Sequence, residues 1–482
     1  MPTMIPPECY VREALGSLLP LDAVITPLHA AHGLVLAEDV TAALPVPPWT
    51  NSAMDGYALR AEDATGATNQ APVVLPVAGD VPAGTAPAPL APGTAMRIMT
   101  GAMLPEGADA VVKVEDTDQA PGPRPLPQRV AIHAAPSAGL NVRHAGEGCA
   151  AGDPVMGSGT VLGATAISAL ASVGRAEVLA HPRPRVAVVS TGAELVDAGK
   201  GLAPGTIPDS NSLLLAGLVH ECGADFVGAR RSADTAEDLA AVLAKAAEDA
   251  DLVVTSGGVS AGAFDPLTML AESAGGPAAA RGSTLNAAPT GGDGPGARVR
   301  ISFAKVAMQP GKPQGHGAIR ARDGRDVPLL CLPGNPVSVL VSFTLVVAPA
   351  LAILAGHREA AGIGATGPRA SYARAATAWK GPVGRRQYVP VRVVDAPSPL
   401  PEPLPPAPES AGPAQSALSA QPAPAAPSAL PWVEPTHRLG SGSHLVSSLS
   451  SAEALAVVGE EAAGARPGDV VGLIPLPSPA RP

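Results

Sequence analysis

From Arg185 onward the sequence alternates short apolar, β-branched runs with stretches of helical spacing, and no other feature restricts the fold so strongly. VAVVSTG at 186–192 reads as a strand and turn, 211–222 as a helix and 224–229 as a strand. Next come a helix at 234–249, with Leu239, Val242, Leu243 and Ala246 on one face, and a strand at 252–255. Two more strands, 301–307 and 329–332, precede a long apolar helix after Pro336. Strand and helix alternating at this spacing predict βαβ units and a central doubly wound α/β domain with a mixed or parallel sheet. Open sheets of this kind bind ligands beyond the carboxyl ends of their strands.

The run LVVTSGGVSAGAFD, residues 252–265, sits at such an end. Ser256, Gly257, Gly258 and Ser260 would expose backbone N–H groups and hydroxyls without bulk, so a phosphate can approach closely and meet a following helix N-terminus. Asp265 beside that phosphate is unfavourable without a cation between them, which points to a Mg²⁺-bridged phosphate. The same residues also fit a plain β–α turn with Asp265 capping the helix before Pro266. STGAEL, 190–195, puts Thr191, Gly192 and Glu194 on the same sheet edge, and a second strand-end carboxylate strengthens the metal reading. In AMQPGKP, 307–313, Lys312 is pinned between Gly311 and Pro313, which suits an anion or a simple solvated turn. LPGNPVS, 332–338, offers Asn335 as N-cap, Pro336 at the first helical position and Ser338 in the first turn. That is an anion site, or a cap without further function.

The chain has 482 residues, length for about three domains at ~150 residues each. Gly 53 and Pro 56 with only 2% aromatics predict that part of it is linker. Net charge is −10 with no long basic block, so the footprint of nucleic-acid binding is missing. Cys9, Cys149, Cys222 and Cys331 show neither zinc spacing nor a disulfide framework, which predicts a reducing cytoplasm. The first residues lack an apolar core behind basic ones and do not read as a signal peptide. Residues 337–354 approach the ~20 that span a bilayer, yet Ser338, Ser342, Thr344 and Pro349 interrupt them, and a buried helix is expected rather than a membrane span.

Ahead of this domain, 8–19 has helical spacing ended by Pro20, 35–43 reads as a strand, and 163–173 as a helix. Short β-rich runs between 72 and 142 predict a small all-β domain in which Thr100 and Gly101 stand at a strand end. After 366 short strands return, including 387–394 and 456–459. The division expected is 1–44 with 145–180 as an N-terminal linking or dimerisation domain, and 45–144 as a protruding β-rich domain. The α/β domain takes 181–362, with 275–297 as a disordered insertion, and 363–482 a C-terminal β-barrel-like domain with a Pro/Ala-rich loop at 395–431.

NSAMDGYA, RIMTGAMLPEGADAVV, STGAEL, TSGGVSAG with Asp265, QPGKP and LPGNPVS, in this order, closely resemble the molybdopterin molybdenumtransferase (molybdenum insertase) family, which includes the C-terminal domain of gephyrin. The resemblance covers nearly the whole chain outside the two low-complexity segments, and no GxxxxGK[ST] competes with it. It implies an enzyme that takes adenylylated molybdopterin and molybdate as substrates. In a Mg²⁺-dependent step such an enzyme inserts molybdenum into the pterin dithiolene and releases AMP. It also implies a cytoplasmic homodimer whose site lies between the α/β domain of one subunit and the N-terminal part of the other. Molybdopterin adenylyltransferase and molybdoenzyme chaperones are the implied partners.

By the same resemblance Asp55, Thr100, Glu194, Asp265, Lys305 and Lys312 are catalytic, with Asp55, Glu194 and Asp265 holding the metal. Arg143 (NVRHAGE), Thr191, Gly192, Asp234, Ser256, Gly257, Gly258 and Ser260 would bind the pterin substrate, as would Pro333, Pro336, Ser338, Arg385 (VGRRQ) and Ser443 (GSGSH). Lys312, Ser338 and Arg385 would meet molybdate. The sequence departs from the family at Gly148, Ala263, Gln309 and Pro390, and two of these remove acids. Those losses and the long Pro/Ala segment motivate an alternative, a non-catalytic molybdopterin-binding or scaffold paralogue. A molybdopterin adenylyltransferase would share the doubly wound fold but normally lacks the MDGY and C-terminal β parts.

Overall fold

The computed structural model describes residues 4–259, 265–273, 299–357, 371–397, 430–437 and 446–477. The chain forms two compact units, Ala23–Ala180 and Met1–Asp22 with His181–Pro482.

Within Ala23–Ala180 there are two centres of packing. Strands Val24–Pro27, Glu177–His181 and Val35–Leu36 form a small sheet, and Leu28, Leu36, Leu162 and Leu170 bury themselves together, the last from the helix Ala164–Ser172. The strand expected over 35–43 is split into Val35–Leu36 and Val40–Thr41, which pair in different sheets. Between them Glu38 accepts from the Leu179 amide at 2.8 Å and Asp39 from the Ser158 amide at 2.8 Å, so the acids turn the chain. The second centre is a five-stranded sheet in the order Ala110–Lys113, Gly56–Leu59, Ala95–Ile98, Val73–Val81, Arg129–Ile132. Successive side chains of a strand face opposite ways. Tyr57 and Leu59 therefore pack with Val112 and Ile132, while Ala58 joins Ile98 and Val111 on the other face.

The other unit holds a six-stranded sheet of β1 (Arg185–Thr191), β2 (Asp225–Ser232), β3 (Leu252–Ser256), β4 (Val299–Lys305), β5 (Pro313–Arg320) and β6 (Asp326–Leu332). Their spatial order is β2-β1-β3-β6-β5-β4. The first four run parallel, and β5 is antiparallel to both of its neighbours. The sequence reading omits β5, since glycine weakens a strand's signal. Gly317 is nevertheless required there, because a Cβ would collide with the Arg300 carbonyl of β4.

Helices cover both faces. Val186, Val188, Leu252 and Val254 pack towards α1 (Asn211–Glu221), and Ala187, Val189 and Val253 towards α2 (Ala236–Asp249) and α3 (Pro266–Ser273). α2 begins two residues later than the periodicity alone predicts, because the Thr235 hydroxyl accepts from the Asp238 amide at 3.3 Å and caps it. The apolar stretch Pro336–Leu354 is continuous helix, α4 (Pro336–Ser342), a π turn and α5 (Ala348–Leu354), with 83% of it buried in the fold. It serves as the core helix that the sequence predicts.

The C-terminal strands close a β-barrel. Ser371–Ala375, Arg386–Val394, Trp432–Pro435, Ala454–Val458 and Val470–Pro475 form one sheet, and Arg386–Val394 pairs with Ala454–Val458 to seal it. Met308–Gln309 joins its edge in parallel with Arg386–Gln387. The N-terminal helix Pro7–Leu15 stops at Gly16, short of the expected 8–19. Arg386, 4% exposed, donates to Glu8 of that helix at 3.1 Å and pairs with Glu460 at 2.8 Å, tying helix to barrel.

His316 on β5 lies edge-on to Tyr10 with ring centroids 5.6 Å apart, and both of its ring nitrogens are buried without a partner among the described residues. Burial holds its pKa below the ordinary 6.5, against a smaller opposing pull from Glu13. The unfolded chain therefore takes up the proton first as pH falls, so His316 costs no stability above about pH 6.5 and progressively more below it. Wild type should lose more melting temperature between pH 7.5 and 5.5 than His316→Phe, measured by circular dichroism. Equal losses would refute the assignment.

Candidate active site at the sheet's carboxyl edge

A cavity of about 740 Å³ opens at the carboxyl ends of β1, β3 and β6. Its floor is two glycine turns. Ser256-Gly257-Gly258 follows β3, and Gly257 and Gly258 hold φ of +90° and +75°, values that L side chains rarely adopt. Gly334 of the second turn has room for a Cβ only 3.5 Å from the Gly257 Cα, so the turns touch. Gly257 also donates its amide to Leu332 at 3.0 Å.

Around that floor the structure gathers Thr191, Gly192, Glu194, Asp234, Asp265, Lys312, Pro333, Pro336 and Ser338 with Ser256, Gly257 and Gly258. Asp265 is 6% exposed and precedes α3, its carbonyl accepting from the Met269 amide at 3.0 Å. Asp234 accepts from the Ala193 amide at 3.1 Å and so fixes the turn that carries Glu194. Asn335 is the N-cap of α4 with Pro336 at the first helical position, as the sequence predicts, although its side chain makes no capping hydrogen bond.

Not every candidate joins them. Lys305 ends β4 with its carbonyl bonded to the Ile5 amide at 2.9 Å, and it is not among the residues lining the cavity. Arg385 does not line it either, but donates to the side chain of Gln309, which does, at 3.1 Å. Asp55, Thr100 and Arg143 belong to the Ala23–Ala180 unit. There Asp55 accepts from the Thr100 amide at 2.7 Å and its hydroxyl at 2.8 Å, and these bonds, the amide's first, hold the carboxyl below the usual carboxylate range. Arg143 is exposed and in register with Asn51. Ser260, Ser443 and Ala263 lie outside the described residues, as do 275–297 and most of 395–431.

Sequence reasoning missed Asp209, Asn211 and Pro310 as lining residues and named Gln309 only as a departure from the family. The polar Asp209-Ser210-Asn211 at the mouth of a helical pattern was the signal available for the first two. Asp209 is buried, bonds the Ser212 amide at 3.0 Å and hydroxyl at 2.7 Å, and lies 3.8 Å from Arg231.

Chemically, Glu194, Asp209, Asp234 and Asp265 face a lining in which Lys312 is the lone ammonium among the described residues. Such a cavity takes anions only together with cations. No group of three or more His, Cys, Asp or Glu side chains close enough to hold a metal occurs among the described residues. Burial pushes the thiols of Cys222 and Cys331 up to about 12, so neither is a ready nucleophile.

Three family models match in succession: "MoeA N-terminal region (domain I and II)" over 9–174, "Probable molybdopterin binding domain" over 187–353 and "MoeA C-terminal region (domain IV)" over 422–476. The chain is 45% identical over 334 residues to molybdopterin molybdenumtransferase 2 of Mycobacterium tuberculosis, covering 69% of this chain and 75% of that relative. It belongs to the molybdopterin molybdenumtransferase family. A further molybdopterin molybdenumtransferase, from Nostoc, is 37% identical over 337 residues, 70% of each chain. The crystal structure of a molybdopterin biosynthesis MoeA protein from Pyrococcus horikosii superposes with a TM-score of 0.71 at 27% identity, covering 98% of this chain and 99% of that one. The chain is thus an enzyme of molybdenum cofactor biosynthesis, a molybdopterin molybdenumtransferase with the multidomain α/β-plus-barrel fold of its relatives.

Proposed function

We propose that this molybdopterin molybdenumtransferase inserts molybdenum from molybdate into the dithiolene of adenylylated molybdopterin and cleaves the pyrophosphate to release AMP, with Mg²⁺ as its metal. The observation that carries this reading is that Glu194, Asp265 and Lys312 wall one cavity floored by the two glycine turns. Its donors fit Mg²⁺. They are oxygens without competing thiolate or imidazole, and Mg²⁺ is usually held by one or two carboxylates with substrate phosphates rather than by a full protein cage. Glu194 and Asp265 would hold it, and when bound it supplies a Lewis acid to the pyrophosphate.

The chain's own groups do the rest. The Gly258 amide and the Ser256 hydroxyl at the end of β3 receive phosphate oxygens, the Gly257 amide being held by Leu332. Lys312, with Ser338 in the first turn of α4, binds the molybdate dianion, and Arg385 adds charge through its bond to Gln309. Asp55 and Thr100 would enter from a second copy of the chain, the homodimer that the resemblance implies, in a cytoplasmic setting that keeps the dithiolene reduced. The test is AMP release from adenylylated molybdopterin, read by chromatography with and without molybdate and Mg²⁺. Release that requires both is expected; release indifferent to molybdate, or tight binding without release, would overturn the reading.

A further inference from the structure

Asn211, the first residue of α1, bonds both glycine turns. Its Nδ2 donates to the Ser256 hydroxyl at 2.8 Å and to the Gly334 carbonyl at 2.7 Å. A carbonyl oxygen only accepts, so the orientation of the amide is fixed by Gly334. Its Oδ1 is buried without a partner among the described residues, a cost that a merely convenient side chain would not retain.

We infer that Asn211 is a positioning residue of the reaction, locking the β3 and β6 turns into one rigid anion-binding floor. The inference rests on the proposed function, since it deepens the role of that floor. Each turn carries its own anion donors: the Gly258 amide and Ser256 hydroxyl on one side, and the start of α4 with Ser338 on the other. The transfer needs the pyrophosphate and the molybdate held at a fixed separation, and that separation is the distance between the two turns. Among the described residues three links bear on it: the Gly257–Leu332 backbone bond, the close approach of Gly257 and Gly334, and the Asn211 amide. Of these three, the last is the one made by a side chain. Preorganisation of this kind acts on the reacting geometry more than on ground-state affinity.

In the intact enzyme Asn211→Ala should lower kcat for AMP release by roughly tenfold to a hundredfold while KM for adenylylated molybdopterin moves less than about threefold. In a Ser256→Ala background the same substitution should cost distinctly less, because half of its link is already gone. If Asn211→Ala does not fold, Asn211→Gln, which keeps an amide but displaces it by one methylene, is read in the same assay and should show the same loss in kcat. A wild-type kcat in a folded variant, a loss confined to KM, or a loss fully additive with Ser256→Ala overturns the inference. Wild type that releases no AMP would sink the proposed reaction instead, and amide hydrogen exchange of the substrate-free protein then decides. Faster exchange at Gly257, Gly258 and Gly334 in the variant supports the lock; unchanged exchange refutes it.

Discussion

Asp265→Asn should lower AMP release from adenylylated molybdopterin by roughly a hundredfold to a thousandfold, about 3–4 kcal/mol of transition-state stabilisation. The substitution keeps the size of a side chain that is only 6% exposed, removing its charge and exchanging one acceptor oxygen for an amide donor. In a cavity facing anionic phosphates, a neutral amide cannot help to hold a dication, so the Mg²⁺ concentration needed for half-maximal rate should rise as kcat falls. Glu194→Gln removes the other carboxylate that we assign to the metal and should move the same two quantities in the same direction. Steady-state kinetics across a Mg²⁺ titration check this. A variant with normal Mg²⁺ dependence would mean that Asp265 serves the fold rather than the metal.

The second large effect is on stability. Gly257→Ala should cost about 2–4 kcal/mol, whereas Gly324→Ala should cost about 1 kcal/mol and leave activity intact. Both glycines have similar backbone angles, φ +90° and +89°, so both variants bear the same strain. At Gly324 the new Cβ meets nothing within 4 Å; at Gly257 it lies 2.8 Å from the Thr191 hydroxyl and 3.0 Å from the Thr191 carbonyl oxygen. The difference between the two variants thus isolates the crowding of β1 against the β3 turn. Urea unfolding followed by circular dichroism measures it, and equal costs would show that the contact yields freely.

Much of the site was legible because its parts are local. A strand that ends in two glycines, or a helix that opens on Asn-Pro, declares itself within a few residues, and the sheet's topology then brings such ends together without further information. Thr191, Glu194, Asp265, Lys312 and Ser338 were found this way. What failed was whatever depends on partners far along the chain. Gly317 looks like a strand breaker until the Arg300 carbonyl is seen to need the space. Asn211 reads as an ordinary first helical residue until Ser256 and Gly334 are placed beside it. Lys305 matches a family lysine by motif, and the antiparallel pairing sets it opposite Pro313 of the lining, yet Lys305 itself does not line the cavity.

In the barrel, Val394 and Trp432 are register partners on adjacent antiparallel strands. The chain therefore leaves the sheet and returns to it at neighbouring positions, however many residues lie between. Joining two points that the fold already holds together costs chiefly closure entropy, which grows by only roughly 0.6 kcal/mol for each doubling of length. The barrel can thus accept a long Pro- and Ala-rich tract at this point, or lose most of one, with its strand pairing unchanged.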